Sequence, residues 1–433
     1  MNSTHHARAA LLSLSLILLT PAVSRSQDPE HWPQFRGPGG LGVFPERSVP
    51  TTLGPEQIRW RTAPPGVGHS SPVVWENHLF ITANTPNGQR LMLAYSTETG
   101  DERWRWEEGF APHKKHRFNE FASSTPCLDE DHVFVFWTSG TEAEMVAFTH
   151  QGEIAWRRVM GTFAGDHGSA SSPILVDGVL FLFWDDLEGR TSTFAGLNPD
   201  DGSILWSKVY PWEGDKLKTT YSTPTVRTSS DGTREVIVTS MPFGIQSFDP
   251  KTGEEWWRYQ HGSKFRTVGS PVSSGNIIFA TWGSGNGAKD HVAITPGTET
   301  EDGSAKVAWR WEKPDGSADN KGLPYVPTPI AFEGRLFLWA DSGLLTVAEA
   351  ATGNIVHGPK RVEGNYFSNP LLLGKYLYCG NRDRNELVVL RASEDYEEVA
   401  RNPVGDGINA TPAVVGGRLF VRTNSELICF GKR

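Results

Sequence analysis

The chain has 433 residues and a formal net charge of −9, from 41 lysines and arginines against 50 aspartates and glutamates. A mildly acidic balance argues against a nucleic-acid partner and against a polybasic membrane anchor. Sixteen tryptophans, 45 glycines and 29 prolines, with no sustained 3.6-residue periodicity, predict an all-β chain of short strands and many turns, in which tryptophan has one repeated structural role.

In chain order, Arg8 precedes a 12-residue apolar run (9–20) and then small residues up to Ser26. This layout predicts a signal peptide over residues 1–26, and hence export to the periplasm or beyond. The run is too short to span a bilayer comfortably, so no transmembrane segment is expected in the mature chain. Residues 27–57 form a polar, Gly/Pro-rich leader containing Trp32-Pro-Gln-Phe-Arg-Gly37, and residues 58–62 are the first strand-like run, centred on Trp60. The three cysteines, Cys127, Cys379 and Cys429, have neither CxxC spacing nor an even count. They are expected as buried free thiols.

From there the chain repeats itself, and the repeat outranks the length-based expectation of two or three domains. Eight units open on Pro72, Pro126, Pro173, Pro224, Pro271, Pro329, Pro370 and Pro412, each after Ser or Thr except Asn369. They lie 41 to 58 residues apart, within the range of four-stranded propeller blades. Proline suits the start of the innermost strand, a sheet edge where a missing N–H leaves no ladder bond unmade. Turns ending in Gly100, Gly152, Gly202 and Gly253 lead to Trp104, Trp156, Trp206 and Trp257, each four residues on. With Trp60 and Trp309, these tryptophans are expected to dock each blade on its neighbour. At Gly353 the turn persists, but Val356-His357 replaces the tryptophan. The last unit supplies three strands and no fourth. Residues 58–62 are therefore expected to complete it and close the ring, which protects sheet edges from aggregation. The predicted fold is a monomeric eight-bladed β-propeller over residues 58–433, with seven blades as the alternative.

The turn pattern resembles the repeat of the pyrroloquinoline-quinone (PQQ) propellers. Ala94-Tyr-Ser-Thr-Glu-Thr-Gly100 with Trp104 and Phe248-Asp-Pro-Lys-Thr-Gly253 with Trp257 carry the likeness, and the leader from Trp32 to Gly37 is similar to leaders of exported members. The resemblance implies the fold, but two activities. One branch contains quinone-dependent alcohol dehydrogenases, which use adjacent cysteines over the quinone and a Ca²⁺ held by oxygen ligands. The other contains non-enzymatic scaffolds of the outer-membrane assembly machinery. This chain has no adjacent cysteines and no compact loop of hard oxygen ligands.

Function on a propeller sits where loops of several blades converge at the channel mouth. The segments between strand four of one unit and strand one of the next are rich in polar and aromatic groups. From them the candidate ligand-binding residues are His69, His116, Arg117, Glu120, Asp166, His167, Tyr221, Arg266, Tyr325, Tyr366 and Asn409. A pocket of this composition suits an anionic or carbohydrate-like ligand. Gly283-Ser-Gly-Asn-Gly287 reads as a hairpin turn, since no helix follows it to bind phosphate. Asp185, Asp186, Glu188, Asp383 and Glu386 read as turn acids. No metal site, cofactor or catalytic set is expected. The predicted role is an exported binding or scaffold module for a protein or polysaccharide partner in the cell envelope. The alternative is an oxidoreductase using PQQ with calcium.

Overall fold

The computed structural model describes residues 31–44, 49–214, 218–285, 287–300, 302–313, 319 and 322–432. The expected signal peptide lies outside them, as do residues 27–30 and 45–48 of the leader. Eight sheets, each with a four-stranded antiparallel core, follow one another in chain order. In the first, Val73–Trp75, His78–Asn84, Gln89–Ser96 and Glu102–Gly109 pair sequentially from the inside outward. The last is closed by Ile58–Thr62, which pairs antiparallel with Leu427–Phe430 and sets Trp60 opposite Cys429. There are eight blades, not seven. Among the described residues no helix is long and apolar enough to cross a membrane.

The Ser/Thr-Pro step has a second physical reason beyond the sheet edge. A residue before proline is held extended, and here its backbone N–H points sideways at the next blade. Ser71 donates to Thr125 Oγ1, Thr125 to Ser172, Ser172 to Thr223, Thr223 to Ser270 and Ser270 to Thr328. Thr328 then donates to Asn369 Oδ1, Asn369 to Thr411 Oγ1, and Thr411 back to Ser71 Oγ. This closed ring of hydrogen bonds, 2.6 to 3.3 Å long, runs once around the axis. Asn369 is the one non-hydroxyl member, and its amide oxygen does the same job.

A second ring lies further out. Each strand-four indole lies flat on the turn glycine of the next blade, so a Cβ on Gly100, Gly152, Gly202, Gly253 or Gly353 would sit 2.3 to 2.6 Å from Trp60, Trp104, Trp156, Trp206 or Trp309 respectively. These glycines also have φ between 67° and 95°, so their left-handed turn and the indole seat are one requirement. The indole N–H groups donate to Thr97, His150, Pro199, Pro250 and Ala350 carbonyls of that neighbouring turn. Trp257 differs. It packs against Gly297 but donates to buried Glu235 of its own blade.

Blades six and seven lack the tryptophan, and other groups fill the seams. Tyr396 is buried beside Phe337 and His357, and its hydroxyl bonds Thr346 O across to blade six. Val49 and Leu53 of the leader are buried in the core of blades seven and eight, where Asn402 accepts from Leu53 N and donates to Thr51 O.

The earlier part of the leader enters the channel. His31–Trp32 pairs with the innermost strand of blade one, and Val43–Phe44 pairs parallel with that of blade seven. Those two innermost strands are therefore not sheet edges, yet Pro72 and Pro370 lie just ahead of the paired residues and lose nothing. Leu128 N donates to Pro33 O, and Leu175 N to Gln34 Oε1. Arg36 is fully buried and donates to the carbonyls of Gly40, Leu41, Thr328 and Pro329. The leader thus bars the far end of the channel.

Two stability predictions follow from these contacts. Arg36→Lys keeps the charge but loses the planar fork that serves four carbonyls, and it should cost roughly 3 kcal/mol, read as a lower denaturant midpoint. Gly253→Ala forces a methyl into Trp206, whereas Gly275, also at positive φ, has open space around its Cβ position. Gly253→Ala should therefore destabilise by roughly 1–3 kcal/mol more than Gly275→Ala, measured in the same denaturation series.

Candidate functional site

Strand direction alternates within a blade, so the strand-four-to-one connections and the strand-two-to-three hairpins emerge on the same face. Together they surround a cavity of about 1010 Å³ over the axis, at the upper end of ligand-site volumes. The hydrogen-bonded ring forms its neck, since Ser71, Thr125, Ser172, Thr223, Asn369 and Thr411 all line it. Phe35 of the leader also lines it, on the side that the leader closes.

Of the candidates named from sequence, His69, His116, Arg117, His167, Tyr221, Arg266, Tyr325 and Asn409 line this cavity. Asp166 stands just behind it. Glu120 pairs with Lys115 at 3.3 Å outside the lining. Tyr366 departs from the expected position. It is fully buried against Trp339 and its hydroxyl donates to Glu363 O, so it is a core residue between blades six and seven. Lys289, Asp341, Asn365, Phe367, Arg382 and Asp383 also line the cavity. Most of these sit at the two-to-three hairpins, which share the face with the strand-four-to-one connections. Asp383 is thus a cavity residue as well as a turn acid. Asp185 is a buried strand residue rather than a turn acid. It accepts from Ser192 and the Thr220 amide, and burial lifts it to about 7. Asp186 does cap its turn, accepting from the amides of Glu188 and Gly189. Ser284 N donates to Ala288 O between the paired strands Ile277–Gly283 and Lys289–Thr295, so these strands are joined as a hairpin.

One wall is a closed polar network. Asp166 accepts from Tyr221 Oη, Thr219 Oγ1 and Arg266 Nη2, each at 2.7 Å. Burial opposes ionisation of Asp166, but the Tyr221 and Thr219 hydrogen bonds and the Arg266 charge outweigh it and hold the carboxyl low. Burial, then the neighbouring carboxylate, raise the Tyr221 phenol. Arg266 Nη1 meets His167 Nδ1 at 2.8 Å. A guanidinium only donates, so Nδ1 is bare and the His167 proton sits on Nε2. Burial, reinforced by Arg266, pulls His167 down to about 4. Burial, with Arg422, Arg382 and Lys115, brings His69 to about 3. His116 is lowered by burial and by Arg117, Arg266 and Arg382. The site therefore presents neutral imidazoles among cations at neutral pH.

The opposite wall is cationic and aromatic. Arg382 lies 3.9 Å from the Phe118 ring centre and 4.7 Å from that of Phe367, and Arg117 lies 4.5 Å from Phe118. Lys289 donates to Leu323 O and Asp341. The Asp341 carboxylate also accepts from the amides of Tyr325 and Val326. Asp383 accepts from Asn365. A quinone–calcium pair is not matched by these groups. Ca²⁺ takes six to eight oxygen ligands, whereas here each carboxylate is already engaged by protein donors. Among the described residues no group of three or more His, Cys, Asp or Glu side chains could hold a metal. The three cysteines are free and buried.

His167 should stay neutral as pH falls through 6.5 and titrate only near 4. Its unfolded counterpart gains a proton near 6.5 that the folded ring refuses, so His167 withdraws stability as pH drops from 6.5 towards 4. Imidazole nitrogen shifts by NMR should report the Nε2–H tautomer at pH 6. Arg266→Gln should move the midpoint part of the way back towards 6.5, since burial remains.

A search of curated protein sequences returns no match. Several solved structures share the fold. The quinohemoprotein alcohol dehydrogenase of Comamonas testosteroni is 14% identical, with a TM-score of 0.62 over 94% of this chain and 81% of that one. A europium-containing methanol dehydrogenase is 10% identical, with a TM-score of 0.66 over 93% and 98%. BamB from Moraxella catarrhalis is 12% identical, with a TM-score of 0.53 over 89% and 99%. At such identities these likenesses concern the fold alone. The family model described as outer membrane protein assembly factor BamB matches residues 105–357 and 245–433. With most of the chain matched and eight blades closed by one ring of hydrogen bonds, this protein belongs to that family of PQQ-like repeat β-propellers.

Proposed function

We propose that this protein is an exported binding module of the cell envelope, which holds a protein or polysaccharide partner at its cavity-bearing face. One observation carries this reading: the carboxylates that a catalytic metal needs are consumed by protein donors, while cations, neutral imidazoles and aromatic rings face the open volume. Asp166 is tied to Arg266, Tyr221 and Thr219, and Asp341 to Lys289 and two backbone amides. Such a wall binds; it offers no prepared site for a hard cation beside a quinone. The match to the BamB family model supports a scaffold role, and the layout of residues 1–26 supports export. The second reading, a quinone-dependent oxidoreductase with an altered site, is favoured by the alcohol and methanol dehydrogenases among the fold relatives.

Titration of PQQ with Ca²⁺ into the purified mature chain separates the two. The binding reading expects no shift of the quinone's visible band and no alcohol-dependent dye reduction. A saturable shift accompanied by alcohol oxidation overturns it.

A further inference from the structure

We propose that the cavity takes the terminus of an acidic saccharide chain, with a uronate-type carboxylate held by Arg382 and Arg117. This rests on the binding reading above and gives it a ligand class.

The sign of the ligand follows from the lining. Arg117, Arg266, Lys289 and Arg382 face the cavity against Asp341 and Asp383 in the lining and Asp166 behind Arg266, in a chain whose net charge is −9. A local cationic field on an acidic molecule concentrates anions at that point. Arg382 makes the demand specific. Its side chain is 24% exposed, its ionic neighbour Asp383 is 4.0 Å away, and among the described residues its guanidinium donates no hydrogen bond, while its backbone N–H donates to Asn365 O. The guanidinium N–H groups open on the cavity, where a ligand oxyanion can replace water as their acceptor. Phe118 and Phe367, set at 70° to each other, flank the guanidinium at 3.9 and 4.7 Å, and its N–H fork suits a bidentate oxyanion such as a carboxylate.

The rest of the lining asks for hydroxyl groups and for ring faces. Asn409 and His69 line the cavity as neutral groups beside each other, and a sugar hydroxyl, which both donates and accepts, suits such a surface. Asn365, Ser342 and the neck hydroxyls add neutral partners, and Phe35 offers a ring against which a pyranose can rest its C–H face. One ligand class carries carboxylate, hydroxyls and C–H faces in each unit.

The mode of entry follows from the leader. Trp32 and Arg36 are fully buried across the far end of the channel, so a polymer cannot thread through. Only a chain end reaches Phe35.

The test is calorimetric titration of the purified mature chain with defined oligogalacturonates from dimer to hexamer, polygalacturonate, carboxyl-reduced oligosaccharides of equal length, polyglutamate and PQQ with Ca²⁺. The expected result is binding of the oligouronates, with the carboxyl-reduced series weakened roughly tenfold or more. Arg382→Gln should weaken binding roughly 10- to 100-fold, and Asn409→Ala roughly threefold to tenfold, each with an unaltered melting temperature and near-ultraviolet dichroism. Polymer should bind one protein per chain end. Equal affinity for the neutral series, preference for polyglutamate, or several proteins per polymer chain would each overturn the proposal. If no saccharide binds and PQQ is inert, the ligand class falls while the binding reading stands. Turnover with PQQ and Ca²⁺ removes both.

Discussion

The whole molecule depends on the hydrogen-bonded circle at the axis. Each bond is an ordinary neutral one, worth about 1 kcal/mol net, and no single link is decisive. Closure is what matters. Because Thr411 returns to Ser71, a blade cannot tilt without straining two neighbours. The proline that follows each donor removes an alternative N–H and holds the donor extended. A two-residue step thus sets the position of each innermost strand relative to the next. The same hydroxyls form the neck of the cavity, so frame and site are one set of atoms.

Outside this circle, the tryptophan–glycine seats carry the apolar part of the blade contacts. An indole buries roughly 150–250 Å², and a glycine beneath it allows the approach that any Cβ prevents. Where the seat is missing, the volume is still filled, by Tyr396 in one seam and by Val49 and Leu53 in another. The two units that look degenerate by motif are therefore not degenerate by packing. The leader contributes twice, first as a bar across the channel and then as a wedge on the last blades. One stretch substitutes for what two repeats lack.

Most of the frame was legible in the sequence because it repeats. The Ser/Thr-Pro steps, the glycine turns and the orphan strand at Trp60 each point to one ring, and the pairing of Trp60 with Cys429 follows from counting strands. The site was legible in part. His69, His167, Tyr221 and Arg266 lie on connections that any closed ring brings together. Lys289, Asp341 and Arg382 lie on hairpins that reach the same face only because strands alternate in direction, a constraint that was available but is easily passed over when hairpins are read as plain turns. Tyr366 shows the opposite difficulty. It sits on a connection next to cavity residues Asn365 and Phe367, yet points into the core, and its neighbours' spacing does not reveal the half-turn. Arg36 left the weakest trace. Its partners are four carbonyls, and carbonyls have no signature in a sequence.

The fold relatives include dehydrogenases and an assembly factor at comparable structural similarity, so the propeller itself does not choose between chemistry and binding. The choice lies in how the cavity's charges are spent. A site prepared for a hard metal keeps several carboxylates unpaired until the ion arrives. Here Asp166 and Asp341 are saturated by hydroxyls, amides and cations of the chain itself, and cations outnumber carboxylates in the lining. The imidazoles add no charge of their own, because burial and adjacent guanidinium groups hold His69 and His167 neutral far below pH 7. What remains is a rigid, one-ended, cationic recess. Its parts are held by the same circle that closes the ring, so the surface it presents is preformed.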